Sequence, residues 1–208
     1  MSQTQTSITG TPLRADLDAI AGWIPDRARV LDLGCGDGAL LAHLAATRGV
    51  RGYGLEIDPE KVTAGIARGV NMIQADLDHG LSEFSDAAFD VVVMTQALQA
   101  LQRPDHALAD MLRVGQRAIV TFPNFGHWRV RLALLAGRMP VTPSLPDRWF
   151  DTPNIHLCTV ADFEALCTAR GWRIRRRALL KAGRAAQGFT NRWPNLLAED
   201  ALYELSAG

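Results

Sequence analysis

Apolar positions along the chain follow two alternating rhythms. Leu13, Leu17, Ile20 and Ile24 recur at spacings of four, three and four, which predicts an amphipathic helix ending near Pro25. Arg29 to Leu33 reads as a short apolar strand, followed by the turn Gly34-Cys-Gly-Asp-Gly38 and an Ala- and Leu-rich helix over residues 39–46. The alternation then repeats. Arg51 to Ile57 predicts a second strand, Asp58-Pro59 opens a helix, and residues 71–75 form a third strand. Phe89 to Met94 predicts a fourth whose unbroken valines imply burial on both faces. A helix near 105–113 leads to a fifth strand over 117–122. Strands and helices in this order define an α/β fold, doubly wound, with a mostly parallel sheet.

Past residue 123 the rhythm changes. A helix over 128–136 is followed by a stretch punctuated by Pro140, Pro143, Pro146 and Pro153, then a helix over 160–170, a strand over 172–180 and a closing strand over 200–205. Loops of this length are usually functional or disordered. The organisation expected is a disordered arm, 1–10, and a single domain, 11–208, carrying a lid or docking insertion at about 124–158. Trp149-Phe150 beside Arg148 suits such a docking surface, because aromatics and arginine are enriched in interface hot spots; an internally packed loop is the alternative.

Composition narrows the class without naming a function. The 208 residues are 48% hydrophobic and 21% charged, as in an ordinary globular protein, and 22 basic residues balance 22 acidic ones. That balance gives no general attraction to nucleic acid or to an anionic membrane. Cys35, Cys158 and Cys167 form no C-x-x-C pair, so neither a disulfide framework nor a zinc site is encoded. The polar start, Met1 to Thr6, lacks the features of a secretory signal, and no apolar run is long enough to span a membrane. A cytoplasmic location is expected.

The glycine turn carries the chemistry. Gly34, Gly36 and Gly38 permit tight turning and close ligand approach, and the helix that follows offers unpaired N–H groups. With Ala39 the spacing also fits a dinucleotide fingerprint, so glycines alone do not choose the ligand. Charge discriminates better. Asp32 precedes the turn and Asp37 lies within it, with no Lys or Arg between Val30 and Thr47. Each carboxylate would repel a pyrophosphate by about 1 to 4 kcal/mol at about 4 Å, which disfavours NAD. S-adenosylmethionine lacks phosphate and carries an ammonium for an acid to hold. Glu56, 20 residues after Gly36, is placed to accept both ribose hydroxyls. Asp76 suits the adenine amino group, with Leu77 or Ile57 packing the ring.

Other groups are weaker candidates. His127 and His156 are possible general bases beside the pocket, with a structural histidine as the alternative for each. Methyl transfer is an in-line displacement that positioning can accelerate without a fixed catalytic residue. Thr95-Gln96 stands where DNA-adenine methylases place an Asn-Pro-Pro-aromatic clamp. Arg173, Arg175 and Arg177, with Arg176, suggest a solvated strand face or an acidic protein partner ahead of a nucleic-acid surface, because no aromatic residues interleave them.

Val30-Leu-Asp-Leu-Gly-Cys-Gly-Asp-Gly38 resembles the glycine motif of class I methyltransferases, which have a Rossmann-like fold. Arg51 to Asp58, Gln96 to Leu101, Phe122 to Arg131, Gly137 to Val141 and Trp149 to Cys158 resemble the MetW family of methionine-biosynthesis proteins. The resemblance implies a seven-stranded sheet with the last strand antiparallel. It further implies S-adenosylmethionine or S-adenosylhomocysteine held by Asp32, Gly34, Gly36, Glu56 and Asp76, with Gln96 bordering the methyl-transfer pocket. The implied role is support of a partner homoserine O-acyltransferase; the alternative is a methyltransferase acting on a small molecule. A homodimer is compatible with either.

Overall fold

Short β-branched runs fall into strands and Ala/Leu-rich runs into helices, close to where the hydrophobic pattern puts them. The computed structural model describes residues 15–182, 184–186 and 189–208; the predicted arm and Leu13 lie outside them. In chain order the elements are α1 (Ala15–Ala21), β1 (Arg29–Leu33), α2 (Ala39–Arg48), β2 (Arg51–Glu56), α3 (Pro59–Ala67), β3 (Asn71–Gln74), β4 (Val91–Thr95), α4 (Pro104–Val114) and β5 (Ala118–Pro123). They continue as α5 (Trp128–Leu135), α6 (Val160–Ala169), β6 (Arg173–Lys181), β7 (Arg184–Ala185), α7 (Phe189–Arg192), α8 (Pro194–Leu197) and β8 (Asp200–Ser206).

The strands form one sheet in the order β3-β2-β1-β4-β5-β8-β6-β7. β3, β2, β1, β4 and β5 are parallel, and β8 enters antiparallel between β5 and β6. The strand order reverses at β1 and β4, so the crevice at their carboxyl ends is the place where such sheets bind ligands. The sheet has eight strands where seven were expected. The extra one, β7, pairs only Leu180 with Ala185 and Lys181 with Arg184, and two residues are too few to show a strand period.

Alternation along β4 builds two cores. Val91 and Val93 join Ile20, Ile24 and Leu44 on one face, while Val92 and Met94 join Leu108, Met111 and Phe163 on the other. The valine run is therefore covered on both sides, as its composition predicts. β8 is buried along its full length, and its Tyr203 stacks on Phe122 at 5.9 Å and packs at a tilt against Phe163 at 4.7 Å. Burying each such ring stabilises the fold by about 1.5 to 3 kcal/mol.

The 124–158 segment is pinned at both ends. Phe125 N–H donates to the Cys158 carbonyl at 3.0 Å. The buried Asn124 amide donates to the Ala198 and Asn195 carbonyls at 2.8 and 3.1 Å, and its oxygen accepts from Gly126 and Val160 N–H at 3.0 and 3.2 Å. Beyond it α6 opens on a capping box, with Thr159 Oγ1 accepting from Asp162 N–H at 3.2 Å and Asp162 returning a bond to Thr159 N–H at 3.3 Å. Thr159→Ala is expected to lower stability by about 1 kcal/mol, read as a reduced urea midpoint at unchanged slope.

Candidate functional site

β1 delivers Asp32 to the carboxyl edge of the sheet, and the chain then turns sharply over β2. Gly34 and Cys35 N–H both donate to the Leu55 carbonyl, at 2.8 and 3.1 Å. Gly34, Gly36 and Gly38 adopt φ of 68°, 58° and 71°, the left-handed region that favours glycine. Gly36 faces open space, since a Cβ built there would meet nothing within 4 Å, whereas one at Gly38 would press on Val70 at 3.0 Å. Gly36 thus frames a cradle and Gly38 closes packing behind it.

Glu56 ends β2 within reach of this turn. Its carboxylate accepts from Gly36 N–H at 2.9 Å, Ile57 N–H at 3.0 Å and Asp58 N–H at 3.1 Å. Asp32 lies beside it, 1% exposed, and its buried Oδ1 has no hydrogen-bond partner among the described residues. Burial, and then the Glu56 charge, push the Asp32 carboxyl up to about 7. An unpaired buried carboxyl next to a second acid is costly to ionise alone, and a cationic group placed against it would offset that cost.

Asp37 departs from the sequence reading. It is not uncompensated, because the end of α3 brings Arg68 to within 2.5 Å of it. The argument against phosphate therefore rests on Asp32 and Glu56. Asp76 follows β3 and caps the short 3₁₀ turn Leu77–His79 through one oxygen, which accepts from Asp78 N–H at 3.0 Å. Leu77 is half-buried and Ile57 is 59% exposed at the same edge. A Cβ at Gly34 would stand 3.0 Å from that of Ala97 and 4.0 Å from Leu77 Cδ1, so the turn, the 3₁₀ segment and the end of β4 converge.

Gln96 and His127 are placed differently from each other. Gln96 follows β4 with φ 54°, its N–H held by Thr121 Oγ1 at 3.0 Å and its side-chain amide donating to Asp200 at 3.3 Å. Asp200 also accepts from Ser144 at 2.9 Å, which ties the insertion to β8. His127 is buried and its imidazole is pushed toward the neutral form, chiefly by burial. It lines a cleft of about 210 Å³ with Trp128, Arg129, Lys181, Thr190, Leu197 and Glu199, none of them a cofactor candidate. The exposed His156 ring nitrogen sits 3.1 Å from the Gln102 carbonyl. Asp200 carries no motif and Asn124 lies in a family-matching stretch that assigns it no role; only their pairing across more than 70 residues shows what they do.

The arginine row is broken by a bulge at Arg175, which leaves Arg176 opposite Glu204 and Arg177 opposite Tyr203. Arg176 pairs with Glu204 at 3.0 Å and Arg177 with Glu164 at 2.7 Å, so these charges face acids of the same chain. Burial pushes the Cys35 and Cys158 thiols up to about 12 and Cys167 to about 11, far from thiolate chemistry. Among the described residues no helix is long and apolar enough to cross a membrane.

Sheet order, switch-point crevice and glycine turn together make this a class I methyltransferase fold. Solved S-adenosylmethionine-dependent methyltransferases share it: one from Mesorhizobium loti is 17% identical, with a TM-score of 0.67 over 92% of this chain and 97% of that one. Another from Archaeoglobus fulgidus is 16% identical, with a TM-score of 0.67 over 92% and 91%. Residues 14–205 match the family described as "Methionine biosynthesis protein MetW", and the chain belongs to that family. The bifunctional methionine biosynthesis protein MetXA/MetW of Rhodopirellula baltica is 38% identical over 164 residues, covering 74% of this chain and 26% of that protein. The chain spans only about a quarter to a third of the length of the curated relatives it matches.

Proposed function

We propose that this chain binds S-adenosylmethionine or S-adenosylhomocysteine in the β1/β4 crevice and supports the activity of a partner homoserine O-acyltransferase. One observation carries the ligand assignment. The buried, unpartnered Asp32 oxygen beside Glu56 suits the ammonium that both ligands share and opposes a pyrophosphate. Asp32 takes the ammonium, the turn at Gly34, Gly36 and Gly38 with the start of α2 takes the carboxylate, and Glu56 takes the ribose hydroxyls. Asp76 accepts from the adenine amino group, with Ile57 and Leu77 against the ring. A carboxylate has about four acceptor sites and Glu56 already fills three, so accepting both hydroxyls requires it to release a backbone N–H. Gly36, in the open turn, is the one that moves.

The partner assignment is supported by the relative that joins MetXA and MetW in one chain. It also fits the acceptor end of the crevice, where the Gln96 amide is committed to Asp200 and His127 sits in a separate cleft. Support of a partner requires no acceptor pocket. Calorimetry with S-adenosylmethionine, S-adenosylhomocysteine and NAD tests the ligand: the first two are expected to bind and NAD to fail. Acyltransferase turnover measured with and without this chain and ligand tests the role, and equal rates in every mixture would reject it.

A further inference from the structure

Fifteen large apolar side chains stand exposed among the described residues, and ten of them fall between Trp128 and Leu157. Scattered exposure of this kind is ordinary, but its concentration in one segment is a mark of an interaction surface. α5 shows the anomaly best. An eight-residue helix does not persist alone in water and is normally held by a buried face. Yet its only buried residue is Val130, while Leu132 is 54% exposed and Leu135 84%. Further along, Trp149 is 72% exposed and packs edge-on against Phe150 at 5.5 Å.

Charge narrows the occupant. Residues 128–157 contain Arg129, Arg131, Arg138 and Arg148 against Asp147 and Asp151, and the stretch 128–146 has no acidic residue. Arg131 is spent on the Gly126 carbonyl at 2.7 Å, and Arg129 lies over the Trp128 ring at 5.4 Å. A second copy of this chain would meet the patch across a two-fold axis, setting two surfaces of the same net positive charge against each other. A surface with apolar side chains bordered by carboxylates is the better match. The segment also communicates with the crevice. Ile155 and His156 N–H both donate to the Gln99 carbonyl at 2.9 Å, and the Gln99 amide donates to the Gln96 carbonyl at 2.8 Å.

We propose that residues 128–157 are the surface on which homoserine O-acyltransferase docks, meeting it with an apolar patch rimmed by carboxylates. This rests on the partner assigned above. A relative in which the two lie in one chain holds them at high effective concentration, which suits a contact of modest area.

The test titrates the purified full-length chain with purified acyltransferase. Leu135→Asp and Trp149→Asp are each expected to weaken binding at least tenfold, and Arg138→Glu to weaken it and flatten its salt dependence. Ile66→Asp, on α3 and 59% exposed, is expected to bind as the parent does. Circular dichroism and S-adenosylmethionine affinity stay unchanged in all four. Parent-like binding by both Leu135→Asp and Trp149→Asp would overturn this docking surface and leave the acyltransferase role standing. A parent chain that fails to bind the acyltransferase removes the role and this inference together. A parent dimer split by Leu135→Asp would assign the patch to a second copy, and loss of S-adenosylmethionine affinity instead would make the segment a ligand lid; either overturns the proposal.

Discussion

Glu56→Ala is expected to weaken S-adenosylmethionine binding by about 30- to 1,000-fold, measured by calorimetry at pH 7.5. Two hydroxyl hydrogen bonds to a carboxylate are lost, together worth about 2 to 4 kcal/mol, and each 1.4 kcal/mol is a factor of ten. The same change strips three backbone N–H groups of their acceptor, so stability falls as well, by roughly 1 to 3 kcal/mol. Glu56→Gln separates the two effects. Its one oxygen can still accept from Ile57 and Asp58 N–H, which restores part of the stability, but its NH2 faces Gly36 N–H and accepts nothing, so affinity remains reduced. Parent-like affinity in Glu56→Ala would show that the ribose is held elsewhere.

Asp32→Asn is expected to stabilise the free protein and to impair ligand binding, a combination that a purely structural acid does not produce. The folded-state carboxyl is raised from its ordinary 3.8 to about 7, so the native state prefers the protonated form. Its contribution to stability is therefore fully present below pH 3.8 and is lost as the pH rises through 7. At roughly 1.4 kcal/mol per pH unit the loss reaches about 4 kcal/mol by pH 8. Urea unfolding is expected to find Asp32→Asn more stable than the parent at pH 8, by up to that amount, with the gap narrowing as pH falls toward 4. Ligand affinity behaves oppositely: the parent binds S-adenosylmethionine more tightly as Asp32 ionises between pH 6 and 8, and the variant loses that dependence. Equal stability of the two proteins at pH 8 would mean that Asp32 is not held in the unfavourable charged state described here. On the proposed assignment, the site costs stability until its cationic partner arrives.

Much of this was legible in the chain itself because the signals are local. Periodicity placed β1 to β6 and β8 to within a residue or two, and the valines of β4 announced burial on both faces. The glycine turn and Asp32 are contiguous, and Glu56 lies at the end of a strand that had to pair beside them. These features need only side-chain pattern and the geometry of a parallel sheet. β7, α7 and α8 did not register, since a two-residue strand and helices of barely one turn carry no period.

What the tertiary structure alone decided is which charges remain unbalanced and which polar groups are already spoken for. Arg68, distant in sequence, neutralises Asp37, while Asp32 is left with a buried oxygen that nothing in the described chain satisfies. Gln96, placed beside the pocket by resemblance, has its amide drawn to Asp200, and two members of the arginine row, Arg176 and Arg177, pair with Glu204 and Glu164 once a bulge breaks its alternation. Hydrophobic patterning is a property of neighbours along the chain, but electrostatic compensation and hydrogen-bond satisfaction belong to neighbours in space. For that reason the fold was written in the order of residues, whereas the character of the site emerged only when the sheet closed.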